Sequence, residues 1–400
     1  MLTSEPALLD DPYPTYAALR RLGSALWDEE RNAWIVAGYD DVRAALADPR
    51  LSSAATTNNR NDHRLLPIVA GVLSRQLETS DSPEHARMRH FVEEAMVRVL
   101  RSDLEGVVRE AARPILRRAL TKPTIDVVSD FASELATDVI RRVMGIANGR
   151  GSELVRATDA FMSTLGGRPE EARSNESTDL LAAELEALGE AIEASARAGG
   201  NSLVSALCDL VGPAGGLSRE EIVANTMLIF AAGHGTTTSL ISSSVWALLE
   251  APRQLRILEE KPELISSAVE EILRLESPIQ SVSRTAKLPT WVGDVRVEAG
   301  QGVVLLIGSA NRDEREFAAP DHLDVKRRPN RHLAFGRGAH LCVGAAVARL
   351  QARIAVPMVL RELRAARVAE NGVAWQQTPN TRGLSRLILD HASPSILATS

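Results

Sequence analysis

Cysteine is almost absent: Cys208 and Cys342 are the only two in 400 residues. Two thiols so far apart argue against a disulfide framework, and a reducing compartment leaves Cys342 free to act as a thiolate. Long apolar runs are missing as well. No stretch offers eighteen uninterrupted apolar residues, and the opening MLTSEPALLDDPYPTY lacks a basic start followed by an apolar core, which argues against a membrane span and a secretory leader and for a soluble cytoplasmic protein. Positive charge is not in excess. A formal net charge of -6 argues against a nucleic-acid binder, although 42 of the 46 basic residues are Arg and could form a local basic face. Aromatic residues make up only 4%, so no decisive substrate anchor stands out. Internal repeats, long Gly/Ser linkers and abrupt shifts in composition are lacking too, and the simplest organisation is a single domain over residues 1–400.

Hydrophobic residues make up 44% of the chain, enough for a large core. Apolar positions recur at three- and four-residue intervals in YPTYAALRRLG, ARMRHFVEEAMVRVL, DFASELATDVIRRVMG, ESTDLLAAELEALGEAIEASARA and SREEIVANTMLIFAAGHGTTTSLISSSVWALLEA, which predicts helices. Strand patterns are few: AWIVAG, TWVGDVRVEAGQGVVLLIGSA and RLILD. These distant segments are expected to share one minor sheet in a mainly α, α+β architecture. Two polar segments, SSAATTNNRNDH and GGRPEEARSNES, read as loops, and such loops commonly border binding sites.

The stretch HLAFGRGAHLCVGAAVARL surrounds Cys342 with glycines and places a helix-favouring run directly after it. Glycines let backbone approach a bulky planar partner, and a helix starting there aims amides and its dipole at the sulfur, favouring a thiolate. The bland alternative is a small buried cysteine in a tight turn. A dinucleotide loop is disfavoured because Leu341 stands where a third glycine should be. Zinc is disfavoured because His340 and Cys342, two apart, form neither half of a familiar zinc pattern.

The ten-residue pattern F-G-x-G-x-H-x-C-x-G, spelled by Phe335, Gly336, Gly338, His340, Cys342 and Gly344, resembles the haem-thiolate signature of the cytochrome P450 family. It matches at every fixed position. The resemblance implies haem b (iron protoporphyrin IX), with Cys342 as the axial metal ligand donating electron density, Gly336 and Gly338 admitting the porphyrin, and Phe335 packed near the sulfur. Upstream, Glu271 and Arg274 lie at i and i+3, a pair that alone is worth about 0.2–0.5 kcal/mol and for which Glu270 competes. The family's order of E-x-x-R, a proline segment ending in Arg, and D-x-x-R is matched by Glu271, Arg274, Pro278, Arg284, Asp324 and Arg327. By resemblance, Glu271, Arg274 and Arg327 form a buried structural network bracing the haem loop. Family positions for haem-propionate contacts are matched by His85, Arg89, Arg284 and His340.

In AAGHGTTT, Gly233 and Gly235 sit inside a long helical pattern, where each costs roughly 1 kcal/mol relative to Ala. A kink and close approach to a flat ligand would explain them, as would a small-residue helix crossing. The stretch resembles the family's oxygen-binding element, which gives Thr236 the task of steering protons to dioxygen and Gly233 a place against the haem. Gly235 departs from the pattern: it stands where the family usually has Asp or Glu. Water, a polar group of the substrate, or His234 would then deliver protons, with His234 ranked last because a helix points it away from Thr236.

The resemblance runs from DPYPTYAALRRLG to RGLSRLILD. It implies a triangular helical domain with a small β region and a long central helix over the haem. The implied activity is that of a bacterial-type monooxygenase that activates O2 with electrons from a ferredoxin-type donor and its reductase, works as a monomer, and hydroxylates a small organic substrate of secondary metabolism. Oxidative coupling of a short peptide or aromatic is the alternative within enzymes. A non-catalytic haem sensor or carrier is the alternative of another class. Arg98, Arg101, Arg337 and Arg349 are candidates for a basic face toward an acidic electron donor. Arg64 and Arg386 are weak candidates for gripping a substrate carboxylate.

Overall fold

Among the described residues, three clusters of buried apolar side chains organise the chain. They belong to a computed structural model that describes residues 10–54, 67–146, 175–210, 216–364, 366–378 and 380–391. The helices of ten residues or more are α1 (Tyr13–Leu22), α2 (Glu84–Leu100), α3 (Leu104–Ala119), α4 (Ser133–Met144), α5 (Asn175–Ala198), α6 (Arg219–Glu250), α7 (Ile265–Leu275) and α8 (Ala345–Glu362). No helix among the described residues is long and apolar enough to cross a membrane.

The 32-residue α6 is the axis of the helical core. Its start is fixed by a reciprocal cap: the Glu221 amide donates to Ser218 Oγ at 3.1 Å, and the Ser218 amide donates to Glu221 Oε2 at 2.8 Å. Beyond that cap Ile222, Met227, Phe230, Leu240, Ile241, Val245 and Leu248 are all buried. A helix apolar on every side belongs in the interior. It packs mainly against α4 and α8. Helix α6 runs as one continuous element across Gly233 and Gly235.

The strands divide differently from the single minor sheet expected. Strands β1 (Ala25–Asp28), β2 (Ala33–Val36), β3 (Leu51–Ser52), β5 (Ser281–Ala286) and β8 (Gly302–Leu306) form a five-stranded sheet in the order β1-β2-β8-β5-β3, with β2 and β8 parallel. A separate sheet has the order β4-β10-β9, from Thr124–Asp126, Leu384–Asp390 and Arg367–Trp375, while β6 (Thr290–Val292) and β7 (Val295–Val297) make a hairpin. The reason lies in what each face buries. Leu384, Leu387 and Leu389 of β10 join the helical core, whereas Val36, Ala286, Val303 and Leu305 form a second core with Tyr39 and Phe317. The tail IGSA, expected as strand, is a helical turn at Ile307–Ala310.

Candidate functional site

The loop from Phe335 to Gly344 connects the second core to the start of α8. Gly336 and Gly338 both take positive φ, 72° and 74°, a region that side-chain-bearing residues enter at a cost. At Gly338 the need is doubled, since a Cβ there would lie 3.0 Å from both Ala47 Cα and Leu46 O. The turn folds back so that the Cys342 amide donates to Phe335 O at 2.9 Å. Cys342 is solvent-exposed, yet enclosure by surrounding protein is the largest influence on its thiol and pushes it above the ordinary range. The amides of Gly344 and Ala345, with Arg349 and Arg89, pull the other way. The sulfur thus has backbone donors for an anion at hand, although burial outweighs them.

Beside that loop, α2, β5 and the Cys loop bring together His85, Arg284 and His340. The His85 and His340 rings lie 4.2 Å apart. His85 is buried, and its Nε2 has no hydrogen-bond partner among the described residues. Burial, the neighbouring His85 and Arg284 push the His340 imidazole down to about 4, and burial followed by Arg89 lowers His85. Arg284 is also destabilised as a cation by burial; its Nη1 donates to Ser283 O at 2.8 Å. Asp81 is the carboxylate that acts on all three, but it is held by Ser52, Ser53 and Lys287, which leaves the donors and the orphaned buried nitrogen able to take up a further anion. Arg89 adjoins the same group, acting on His85, His340 and Cys342, while its Nε donates to Glu93 Oε1 at 2.7 Å, one helical turn away.

On the other flank, Glu271 and Arg274 are fully buried and paired in a fork, Nε–Oε2 and Nη2–Oε1 both 2.8 Å. Arg327 Nε reaches both oxygens of Glu271 at 3.0 Å, the Asp324 amide donates to Oε1 at 3.0 Å, and Asn330 Nδ2 donates to Oε2 at 3.1 Å. Arg274 spends its remaining donors on the carbonyls of Asn311, Pro320 and His322. Glu270 does not compete for Arg274. It faces Arg349 and His332 instead.

Along α6, Ala232 and Gly235 are exposed although the helix around them is largely buried. A Cβ on Gly235 would meet nothing within 4 Å, so this glycine faces open space. Gly233 points elsewhere: a Cβ there would lie 3.0 Å from Ile140 Cδ1, which makes it a close crossing of α6 with α4. Thr236 Oγ1 donates to Ala232 O at 2.6 Å. His234 turns away from that face, its Nε2 3.2 Å from Ser133 Oγ on α4.

Of the arginines considered for a basic face, Arg101 and Arg337 are exposed. Arg98 is engaged by Asp209 and Glu94, and Arg349 by Glu270. Arg386 donates to Asn371 O across the β9–β10 hairpin; Arg64 and most of the two polar loops lie outside the described residues. Sequence reasoning missed the roles of Glu270, Glu276, Arg312, His332 and Arg382, whose partners are remote in sequence. The doublet Glu270–Glu271 was the one available signal.

The family model described as Cytochrome P450 matches residues 152–379. Among relatives, Cytochrome P450 107B1 of Saccharopolyspora erythraea is 32% identical over 97% of this chain and 96% of its own. Mycinamicin IV hydroxylase/epoxidase of Micromonospora griseorubida is 32% identical over 88% of this chain and 87% of its own. The crystal structure of CalO2 superposes with a TM-score of 0.88 at 29% identity, covering 98% of each chain. The chain belongs to the bacterial cytochrome P450 family and is a cytochrome P450 monooxygenase. That sets aside the non-catalytic sensor or carrier. Membership implies a haem-thiolate cofactor, and the orphaned His85 Nε2 beside Arg284 and His340, with an enclosed Cys342, fits one.

Proposed function

We propose that this protein hydroxylates a small organic substrate of secondary metabolism, using haem b held by Cys342. The observation that carries this reading is the cluster of buried His85 with half-buried His340 and Arg284, rich in donors and with His85 Nε2 unpartnered among the described residues, next to the Cys342 loop. Propionates would meet those three residues and Arg89, which acts on both histidines. When bound, haem b supplies reductive activation of dioxygen.

The chain's own residues do the rest. Gly336 and Gly338 give the loop its positive-φ turns, Gly338 tight against Ala47 and Leu46, and Phe335 O holds the Cys342 amide. Thr236 carries its hydroxyl on the same stretch of α6 as the open position at Gly235. By releasing the Ala232 carbonyl it can pass a proton toward a ligand on that face. Gly235 supplies no carboxylate to reload it, so water or a polar group of the substrate takes that part. His234, committed to Ser133, does not. Electrons come from a ferredoxin-type donor with its reductase, approached through Arg337 and Arg101, and the protein works as a cytoplasmic monomer. The hydroxylase named among the relatives supports a secondary metabolite as substrate.

A second reading, oxidative coupling, rests on the open position at Gly235, where no side chain supplies an acid and the substrate can bring its own proton donor. The reduced protein under carbon monoxide is expected to show the red-shifted Soret band of thiolate ligation, and Cys342→Ser to abolish it. Retention of that band in the serine variant overturns the assignment. A ligand screen by spin-state change, then product mass, separates the reactions: one oxygen gained for hydroxylation, two hydrogens lost for coupling.

A further inference from the structure

Helix α7 carries two adjacent carboxylates with separate sets of partners. Glu271 belongs to the buried arginine network. Glu270 takes Arg349 of α8 in a two-point fork, Nε–Oε1 and Nη2–Oε2 both 2.7 Å. It also accepts from His332 Nε2 at 3.0 Å, and His332 Nδ1 in turn accepts the Ala334 amide at 3.2 Å. Both ring nitrogens of His332 are therefore committed, which fixes its tautomer with the proton on Nε2. Arg349 lies with its guanidinium carbon 4.3 Å from the centre of the Phe335 ring. Phe335 is the residue whose carbonyl holds the Cys342 amide.

Each contact could be an ordinary surface pair, and an exposed pair would be worth little. These are not free surface groups. The His332 side chain is 4% exposed, those of Glu270 and Arg349 about a third. The fork fixes the guanidinium plane, the plane covers the Phe335 ring, and the ring belongs to the segment hydrogen-bonded to Cys342. Arg349 is also one of the cations acting on the Cys342 sulfur. Groups that orient a metal ligand and balance charge around it tune the metal.

We propose that Glu270, His332 and Arg349 form a charge-balanced clamp on Phe335 that sets how strongly Cys342 donates to its bound metal. These are positioning residues, since none touches the reacting atoms. The inference rests on the haem-thiolate reading above. Glu270 offsets the Arg349 cation in the resting protein, so removing either partner unbalances the site in a known direction. With Glu270 neutral, Arg349 stabilises the added electron more strongly; with Arg349 neutral, the Glu270 anion opposes it.

The test is the reduction potential of the haem-loaded protein, read by spectroelectrochemical titration. Glu270→Gln is expected to shift it to more positive values, Arg349→Gln to more negative ones, and Arg349→Lys to return most of the latter shift by restoring the charge. Unchanged potentials, or shifts of the same sign in both glutamine variants, overturn the clamp. If Glu270→Gln does not accumulate folded, Arg349→Gln decides alone: a negative shift supports the clamp, and none or a positive one overturns it. An Arg349 that only docks an electron donor would weaken partner binding and leave the potential unmoved, which also overturns it. Wild-type protein without the thiolate Soret band would instead sink the underlying haem-thiolate reading, and the clamp with it.

Discussion

At the scale of single residues, the glycines of this chain separate by what a side chain would meet. Gly338 needs its bare backbone twice over, for a φ of 74° and for contact with Ala47 and Leu46 O. Ala there costs about 1–2 kcal/mol in backbone strain alone, before any movement of the neighbouring segment. Gly338→Ala should therefore lower haem incorporation, read as the ratio of Soret to protein absorbance; full incorporation would show that the loop tolerates a Cβ. Gly235 is the opposite case. It is helical, faces open space and forgoes about 1 kcal/mol of helix propensity for no packing reason in the protein itself. Gly235→Ala should raise the thermal midpoint while weakening binding of substrate or of imidazole, followed by spectral titration. A lower midpoint would mean the glycine serves the fold rather than a ligand.

At the scale of elements, α7 carries more of the site than its eleven residues suggest. Glu271 is fully buried against Arg274 and Arg327, and neutralising one partner of a buried pair typically costs about 3–5 kcal/mol because the other charge is left without compensation. Glu271→Gln should lower stability to that degree in denaturant unfolding, whereas a loss under about 1 kcal/mol would mark the network as dispensable. Glu270 adds a pH dependence. Burial pushes its carboxyl up, but the hydrogen bonds from His332 and Arg349 and the guanidinium charge outweigh that and hold it at about 2, below the ordinary 4.5. The unfolded chain thus binds a proton where the folded one does not, so this stability is complete above about pH 4.5 and fades as pH falls toward 2. Unfolding free energy measured through that window should fall less steeply in Glu270→Gln than in wild type. Equal slopes would remove Glu270 as a source.

At the scale of the whole molecule, what could be read from the sequence was whatever chemistry confines to a short span. The Cys loop compresses its glycines, histidine and cysteine into ten residues, and the cap and apolar girth of α6 are likewise local. Sheet membership was not legible, because β2 and β10 are alike as strings and differ only in which core their faces meet. Long-range ion clusters were hidden for the same reason. Glu276 accepts from Tyr13 Oη at 3.0 Å, Arg312 Nη2 at 2.7 Å and Arg382 Nε at 2.7 Å, partners as far as 263 residues away. Together they join the start of α1, the end of α7 and the segment before β10. The guanidinium of Arg312 lies 3.2 Å from the centre of the Tyr13 ring, and that of Arg382 lies 3.7 Å from the centre of the Trp375 ring. Here two buried cations share one carboxylate, so the cluster should fail unevenly. Tyr13→Phe loses one hydrogen bond, worth about 0.5–1.5 kcal/mol, and keeps the stacked ring; Glu276→Gln takes the shared carboxylate from both arginines, Arg312 keeping only Asp321 at 3.2 Å, and should cost about 3 kcal/mol. Arg382 adjoins Gly383, which abuts Ser239 on α6, so Glu276→Gln should also weaken substrate-induced spectral change while Tyr13→Phe leaves it intact. Equal losses of thermal stability in the two variants would mean that the carboxylate is merely one hydrogen-bond acceptor among several, and that the distant segments are held together by packing instead.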